Sequence, residues 1–572
     1  MRCCAVLLIL ALGTLSCDRP SADEQFVALA ERYIANMLEG YPEFATSLGD
    51  HSRDGRLNDY SAQAVARGIE SGRRFLADLE AIDAAELGPA NAVDYEILAN
   101  SLRFSIWSSE VLREHEWNPM RYGLGDALYS LLARDFAPLE TRLASLRQRL
   151  ERVQPVIDAA RANLRNPPRI HTETAIRQND GVISLIRDDL DSILAGAPDM
   201  EAELAPARES ALAALEEYAR WLREDLLPRS NGNFRIGEEK FRTKLAFTLH
   251  SDLTMEEILE RAQKRLAEIQ DELYETAVPL YRESNPGAGA DELGDRQAVV
   301  RAVLDGLADS HPTDASIVED AGRSLEQVAG FTRERNLVTV PEEPLQVIVM
   351  PEFRRGVSTA YCDSPGPLEE NGETFYAISP TPEDWTPERK LSFYREYNDF
   401  MLQDLTVHEA IPGHYLQIAH SNRMQAPTMV RSIFYSGTFV EGWAVYAEQI
   451  MAEHGYGGPR FKMQQLKMLS RAVINSILDQ KIHAGAMTEE EAMDMMVGEG
   501  YQEDGEAAGK WIRAQLTSAQ LSTYFVGITE HNDLRRDWEA LHGPIEDWKQ
   551  YHDRVLSFGS PPAKFVRELL GL

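Results

Sequence analysis

The segment His408-Glu409-Ala410-Ile411-Pro412-Gly413-His414 carries two imidazoles and a carboxylate, and Glu441 follows His414 by 27 residues. Imidazole and carboxylate are the ligands of a zinc ion that keeps one position open for chemistry. Metal-dependent hydrolysis of an amide also needs a base for the attacking water and a donor for the oxyanion. The common helical solution is His-Glu-x-x-His, whose histidines lie about 40° apart around the helix and face one ion. Here the histidines are six residues apart, and Pro412 stands where the second would be. On a regular helix that spacing puts them about 240° apart. Either the motif is accidental or the helix is distorted. Proline lacks an N–H and clashes with the preceding turn, and glycine admits unusual dihedrals. The pair Pro412-Gly413 therefore predicts a local bulge that returns His414 to the side of His408.

A control lies in the same chain. His115-Glu116 is another His-Glu pair, with no histidine at ligand spacing after it. The dipeptide alone carries no weight. The run Gly437-Thr438-Phe439-Val440-Glu441-Gly442-Trp443-Ala444 supplies the missing context. A second helix packed on the first would present Glu441 as a third ligand, with Trp443 in the core beside it.

The elements that must hold these residues read as mainly helical. Leu139, Leu143, Leu146, Leu150, Val153 and Ile157 step by four and three, the spacing of one helix face. Ile258, Ala262, Leu266, Ile269 and Leu273 do the same, after a capping box at Thr254 and Glu257. Thr386-Pro387-Glu388 starts a helix expected to run through Phe393 and Tyr397 towards Leu405. Another helix carries His408. Strand signal is confined to Leu345–Met350 and to Thr374–Ser379 after Asn371-Gly372. These form either a small sheet edging the active-site cleft, where an extended substrate could add as a strand, or two packing strands. The loop-like runs at Arg229–Asn233 and Glu283–Gly294 interrupt the helices. The first divides an N-terminal helical half, 18–230, from a C-terminal catalytic half, 231–572, within one continuous body.

The chain has 572 residues, 44% hydrophobic and 26% charged, the composition of a folded globular protein. Its net charge of -34 argues against nucleic acid and against a basic membrane-surface protein. Solubility explains that charge, and a preference for cationic peptides has no further support. Three of four cysteines, Cys3, Cys4 and Cys17, fall in the first 17 residues. There Arg2, a short apolar run and Ser16 before Cys17 make a signal peptide over 1–17, too short to span a bilayer. Pro20 to Asp23 read as a tether. Cys17 is either lipid-modified, as in a bacterial lipoprotein, or simply follows a cleavage point. Thr14 stands where such signals usually have Leu. With the leader removed Cys362 is the sole thiol, which excludes a disulfide framework. The protein is expected outside the cytoplasmic membrane, periplasmic or in the cell envelope.

The stretches Val407–Gln417 and Phe439–Glu448 resemble the signature of the bacterial domain-of-unknown-function family numbered 885. The likeness includes Tyr41–Asp50 and Ile236–Phe241, and so covers nearly the whole mature chain. It implies a large, mostly helical, zinc-peptidase-like body, and many members look like lipoproteins. Carried over, His408, His414 and Glu441 become ligands of one Zn2+ and Glu409 the general base. Glu448, seven residues after Glu441, is either a supporting or ion-paired group behind the ligands or a surface carboxylate. Near the C-terminus Arg513, Gln520, Tyr524 and Gly527 keep the family's register. Thr517-Ser518-Ala519-Gln520 replaces its Pro-Gly-Gln stretch, and Phe525 replaces a lysine. Tyr524 becomes an oxyanion donor or a core aromatic. Arg513 binds a substrate carboxylate or forms a surface ion pair, and Gln520 stands behind them. His420 and His454 read as ordinary helix residues. The leading expectation is a zinc metallopeptidase acting on peptides or small amides. The alternatives are a non-catalytic binding lipoprotein with a structural or absent metal, and a metal-dependent amidase on a non-peptide substrate.

Overall fold

The structure is a computed structural model that describes residues 20–350, 359–369 and 372–572. The leader with Cys3, Cys4 and Cys17 lies outside the described residues, as does Asn371. The fold is mainly α, with one three-stranded sheet among the described residues.

The tether is shorter than expected. Ser21 and Glu24 form a capping box, so helix α1 (Ala22–Gly40) starts at once. The stripe from Leu139 to Ile157 is split between α2 (Leu139–Leu150) and α3 (Val153–Asn163). Its residues from Leu143 onward still enter one core, because the two-residue break preserves the face. Helix α4 (Met255–Ser284) begins at the expected Thr254–Glu257 box and buries all five predicted stripe residues.

The sheet contains the two expected strands, β1 (Leu345–Val349) and β3 (Thr374–Ile378), and a third, β2 (Ala360–Asp363). β3 is central, parallel to β1 and antiparallel to β2, with Cys362 opposite Tyr376. Tyr376 and Ile378 pack against Met401, Leu402 and Leu405. The helix expected from Thr386 to Leu405 is two helices. α5 (Pro387–Glu396) is capped by Thr386 as predicted. α6 (Asp399–Glu409) starts anew because the Asn398 side chain accepts the N–H groups of Phe400 and Met401. An asparagine that caps competes with helix continuation.

After α6 come α7 (His414–Asn422), α8 (Gly437–Glu453), α9 (Gly458–His483), α10 (Asp504–Leu516) and α11 (Thr523–His542). α9 is buried along most of its length, between α4 and the site helices α6 and α8. One apolar core fills the N-terminal half from Tyr122 to Leu226 and a larger one the C-terminal half from Phe241 to Val566. A third joins α1 to Val430 and Phe565 across the two halves. There the buried Arg431 guanidinium donates to Asp94 at 2.6 Å.

Candidate metal centre

Helix α6 stops at Glu409 and α7 begins at His414. The expected bulge within a helix is instead a complete break. Ala410 leaves helical geometry, the Ile411–Pro412 peptide is cis, and Gly413 precedes the new helix. The Gly413 N–H donates back to Val407 O at 2.9 Å. A Cβ on Gly413 would lie 2.0 Å from His408 O, so no other residue fits this approach. The buried Trp443 indole N–H donates to Pro412 O at 2.8 Å and ties the break to α8.

The break turns both imidazoles to one point. His408 Nε2 and His414 Nε2 lie 3.6 and 3.4 Å from the same oxygen, Glu441 Oε2. The rings stand edge to face, 4.7 Å apart. These separations are long for hydrogen bonds and near the roughly 3.3 Å between two atoms bound tetrahedrally to one zinc. Glu441 Oε2 and His414 Nδ1 are buried with no hydrogen-bond partner among the described residues. A cation accepted by these three side chains would satisfy that oxygen, so the donor set fits zinc.

Behind the ligands, His408 Nδ1 lies 2.6 Å from Glu448 Oε1. A proton held there leaves the Nε2 lone pair facing Glu441. Glu448 is fully buried, which rules out the surface-carboxylate reading. Burial raises its pKa and that of the equally buried Asp404, which also feels the charge of Glu448. Burial alone would discharge His408, but Glu441 and Glu448 outweigh it and raise its pKa. Burial likewise opposes the charge on Glu441, yet the two imidazoles hold it below the usual carboxylate range.

Glu409 faces the sheet. Its Oε2 accepts the Cys362 N–H of β2 at 3.1 Å. The sheet therefore edges the centre through β2, a strand the sequence pattern does not show. Burial, with the nearby Glu409 charge, pushes the Cys362 thiol up to about 12.

A second cluster lies on α10 and α11. Arg513 Nη2 donates to Gln520 Oε1 at 2.9 Å and to the Tyr524 hydroxyl at 3.1 Å. Among the described residues Arg513 forms no ion pair within 4.0 Å; its guanidinium touches neutral oxygens, with the charges of Glu441 and Glu506 acting on it from further away. The turn before α11 is held by buried Asp479, which accepts Ala519 N–H, Ser522 N–H and the Ser522 hydroxyl. Helices α8 and α11 meet at Gly442 and Gly527, where a Cβ on Gly527 would fall 2.5 Å from Gly442 Cα. Glu441 and Tyr524 flank this crossing. Burial, then the charge of Glu441, raises the Tyr524 phenol.

All eight predicted site residues thus fall in these adjoining clusters. His420 and His454 do not join them: they bond Thr339 O and Ile450 O. Trp443 is buried as expected. Sequence reasoning missed Asp404, Asp479 and Cys362. Asp404 stands four residues before His408, one helical turn away, and that spacing was its only signal.

The protein is a mainly helical body with a small three-stranded sheet beside a cluster of two histidines and one carboxylate at a helix break. The chain belongs to DUF885, described as bacterial proteins of unknown function, whose pattern matches residues 42–570. It is similar to a candidate lipoprotein of unknown function from Shewanella oneidensis, with 31% identity, a TM-score of 0.81, and coverage of 96% of this chain and 100% of that one. A candidate lipoprotein from Colwellia psychrerythraea shares the fold at 17% identity and a TM-score of 0.79, over 96% of this chain and 99% of its own. None of the curated proteins matches the chain.

Proposed function

We propose that the protein is a zinc-dependent hydrolase that cleaves peptides outside the cytoplasmic membrane. The observation that carries this reading is the approach of His408 Nε2 and His414 Nε2 to Glu441 Oε2, with Glu409 next to His408 in the chain. The candidate group has three protein ligands among the described residues, the number typical of catalytic zinc, where structural sites have four. Zinc bound there supplies Lewis acidity at the scissile carbonyl.

The other steps belong to side chains. Glu409 Oε2 is held by the Cys362 N–H, which fixes the carboxylate and leaves Oε1 for proton transfer. Glu409 takes a proton from the attacking water and passes it to the leaving amine. The Tyr524 hydroxyl, oriented by Arg513 and Gln520, donates to the oxyanion. Arg513 offers its guanidinium to a substrate carboxylate. An extended substrate would run beside β2, the strand nearest Glu409. The lipoprotein descriptions of the two similar structures support lipid attachment at Cys17, in the cell envelope.

The test joins metal analysis to a peptide-library digest of wild type and Glu409→Gln. One zinc per chain and cleavage lost in Glu409→Gln are expected. A protein that takes up no zinc, with a Glu409→Gln variant that cleaves like wild type, sinks the reading. Cleavage of non-peptide amides alone would favour the amidase alternative.

A further inference from the structure

β2 is an edge strand, held on one side by β3, and it presents the Cys362 N–H to Glu409. The segment after it crosses to the N-terminal half. A cavity of about 1000 Å³ lies between the two, lined by Phe44, His51 and Phe136 on one side and Tyr361, Asp363 and Glu369 on the other. Close packing therefore cannot fix the segment across that gap. Individual contacts do. Arg134 pairs with Asp363 and donates to Glu373 O at 3.0 Å. The Leu368 N–H donates to Leu48 O at 2.8 Å, and Leu368 packs on the small apolar group around Leu48. Gly49, with a φ of 92°, lies so close that a Cβ there would fall 2.5 Å from Glu369 N.

The remaining contact is His51, on the short turn His51–Arg53. Its Nδ1 lies 3.0 Å from Asp54 Oδ2 and its Nε2 2.8 Å from Glu369 Oε2. A neutral imidazole has one N–H and one lone pair, so it can donate to only one of two facing carboxylates. The imidazolium donates to both. The ring stacks on Phe136 with centroids 3.7 Å apart, which keeps both nitrogens aimed. Burial opposes the charge on His51, but the hydrogen bonds and charges of Asp54 and Glu369 outweigh it and raise the pKa. The other charges nearby are engaged elsewhere. Asp50 pairs with Arg53 at 2.6 Å, and Arg53 with Glu39 at 2.9 Å. Behind Asp54, the Thr46 hydroxyl donates to Oδ1 at 2.7 Å and accepts from Arg149 Nη2 at 2.6 Å. Arg142 lies 6.0 Å from the Phe136 ring centroid and is paired with Asp135.

We propose that His51, as an imidazolium, latches the segment 363–369 to the N-terminal half and so acts, through β2, as a positioning residue for Glu409; its catalytic meaning rests on the hydrolase reading above. The latch is fully made below the ordinary histidine value of 6.5 and is lost as pH rises through the raised one.

Hydrogen exchange read by mass spectrometry on the full chain in zinc-containing buffer tests this. After correction for intrinsic rates, protection of residues 360–369 in wild type should fall by about tenfold between about pH 6 and about pH 9. In His51→Gln it should be low at both. In His51→Lys, whose ammonium keeps its charge throughout, it should be high at both. Thermal melting checks the variants, and the wild-type comparison needs none. At neutral pH and unchanged zinc content, His51→Gln should lower kcat by roughly tenfold with KM little altered, and His51→Lys should restore most of it. Wild-type protection that is level with pH overturns the latch, as does a His51→Gln variant that keeps wild-type protection and pH dependence. Loosened exchange with unchanged kcat overturns the positioning of Glu409. The expected exchange pattern in a protein that cleaves nothing would keep the latch and retire the hydrolase reading.

Discussion

His115-Glu116 and His408-Glu409 are the same dipeptide in two regions of one molecule. The first lies on the short helix Glu114–Trp117, where Glu116 is paired with Arg113. Burial, with Arg121 and Arg113 nearby, lowers the His115 pKa despite Glu116. The second ends α6, where Glu441 and Glu448 raise the His408 pKa against a larger burial. One histidine faces arginines and the other carboxylates. What differs is what the rest of the chain brings to each, and a site is a property of that surrounding.

The comparison breaks most completely at Gly413. Gly413→Ala puts a methyl against His408 O, so zinc content should fall to background and activity with it, while the fold away from the site survives. Metal analysis and circular dichroism check this. Next in size, Glu409→Gln should lower kcat/KM by a factor of about 10² to 10⁴ with zinc retained, whereas Glu116→Gln should leave both unchanged. Glu448→Gln should weaken zinc by roughly 10- to 100-fold, read by chelator competition, because His408 Nδ1 loses its anionic partner. The smallest effect concerns the surroundings of Glu409. With a pKa near 12 the Cys362 thiol stays protonated at pH 8. Iodoacetamide should modify it slowly in the native protein and quickly in denaturant, followed by mass spectrometry. Rapid native labelling would show that β2 does not cover Glu409 as described.

Much of this could be read in the sequence. The stripes of α2 and α4, the caps at Thr254 and Thr386, and two of three strands follow from local pattern. The motif residues were also named from spacing and resemblance, and Pro412-Gly413 marked the place where the helix had to fail. How it fails was not legible, because the Trp443 hydrogen bond to Pro412 O comes from 31 residues away. The break before α6 was hidden because Asn398 interrupts an otherwise continuous helical pattern by capping. β2 has four residues and no alternation, and pairing with β3 alone makes it a strand.

The contact of Gly442 with Gly527 has a mechanical consequence. Two helices that touch backbone to backbone have no side-chain cushion between them, so the crossing acts as a pivot. If the body flexes about it, distant ends of α8 and α11 travel furthest. Glu441, one residue from the pivot, and Tyr524, three residues from it, travel least. The spacing between Glu441, the proposed metal ligand, and Tyr524, the proposed oxyanion donor, is thereby insulated from such flexing, by two residues that carry no chemistry at all.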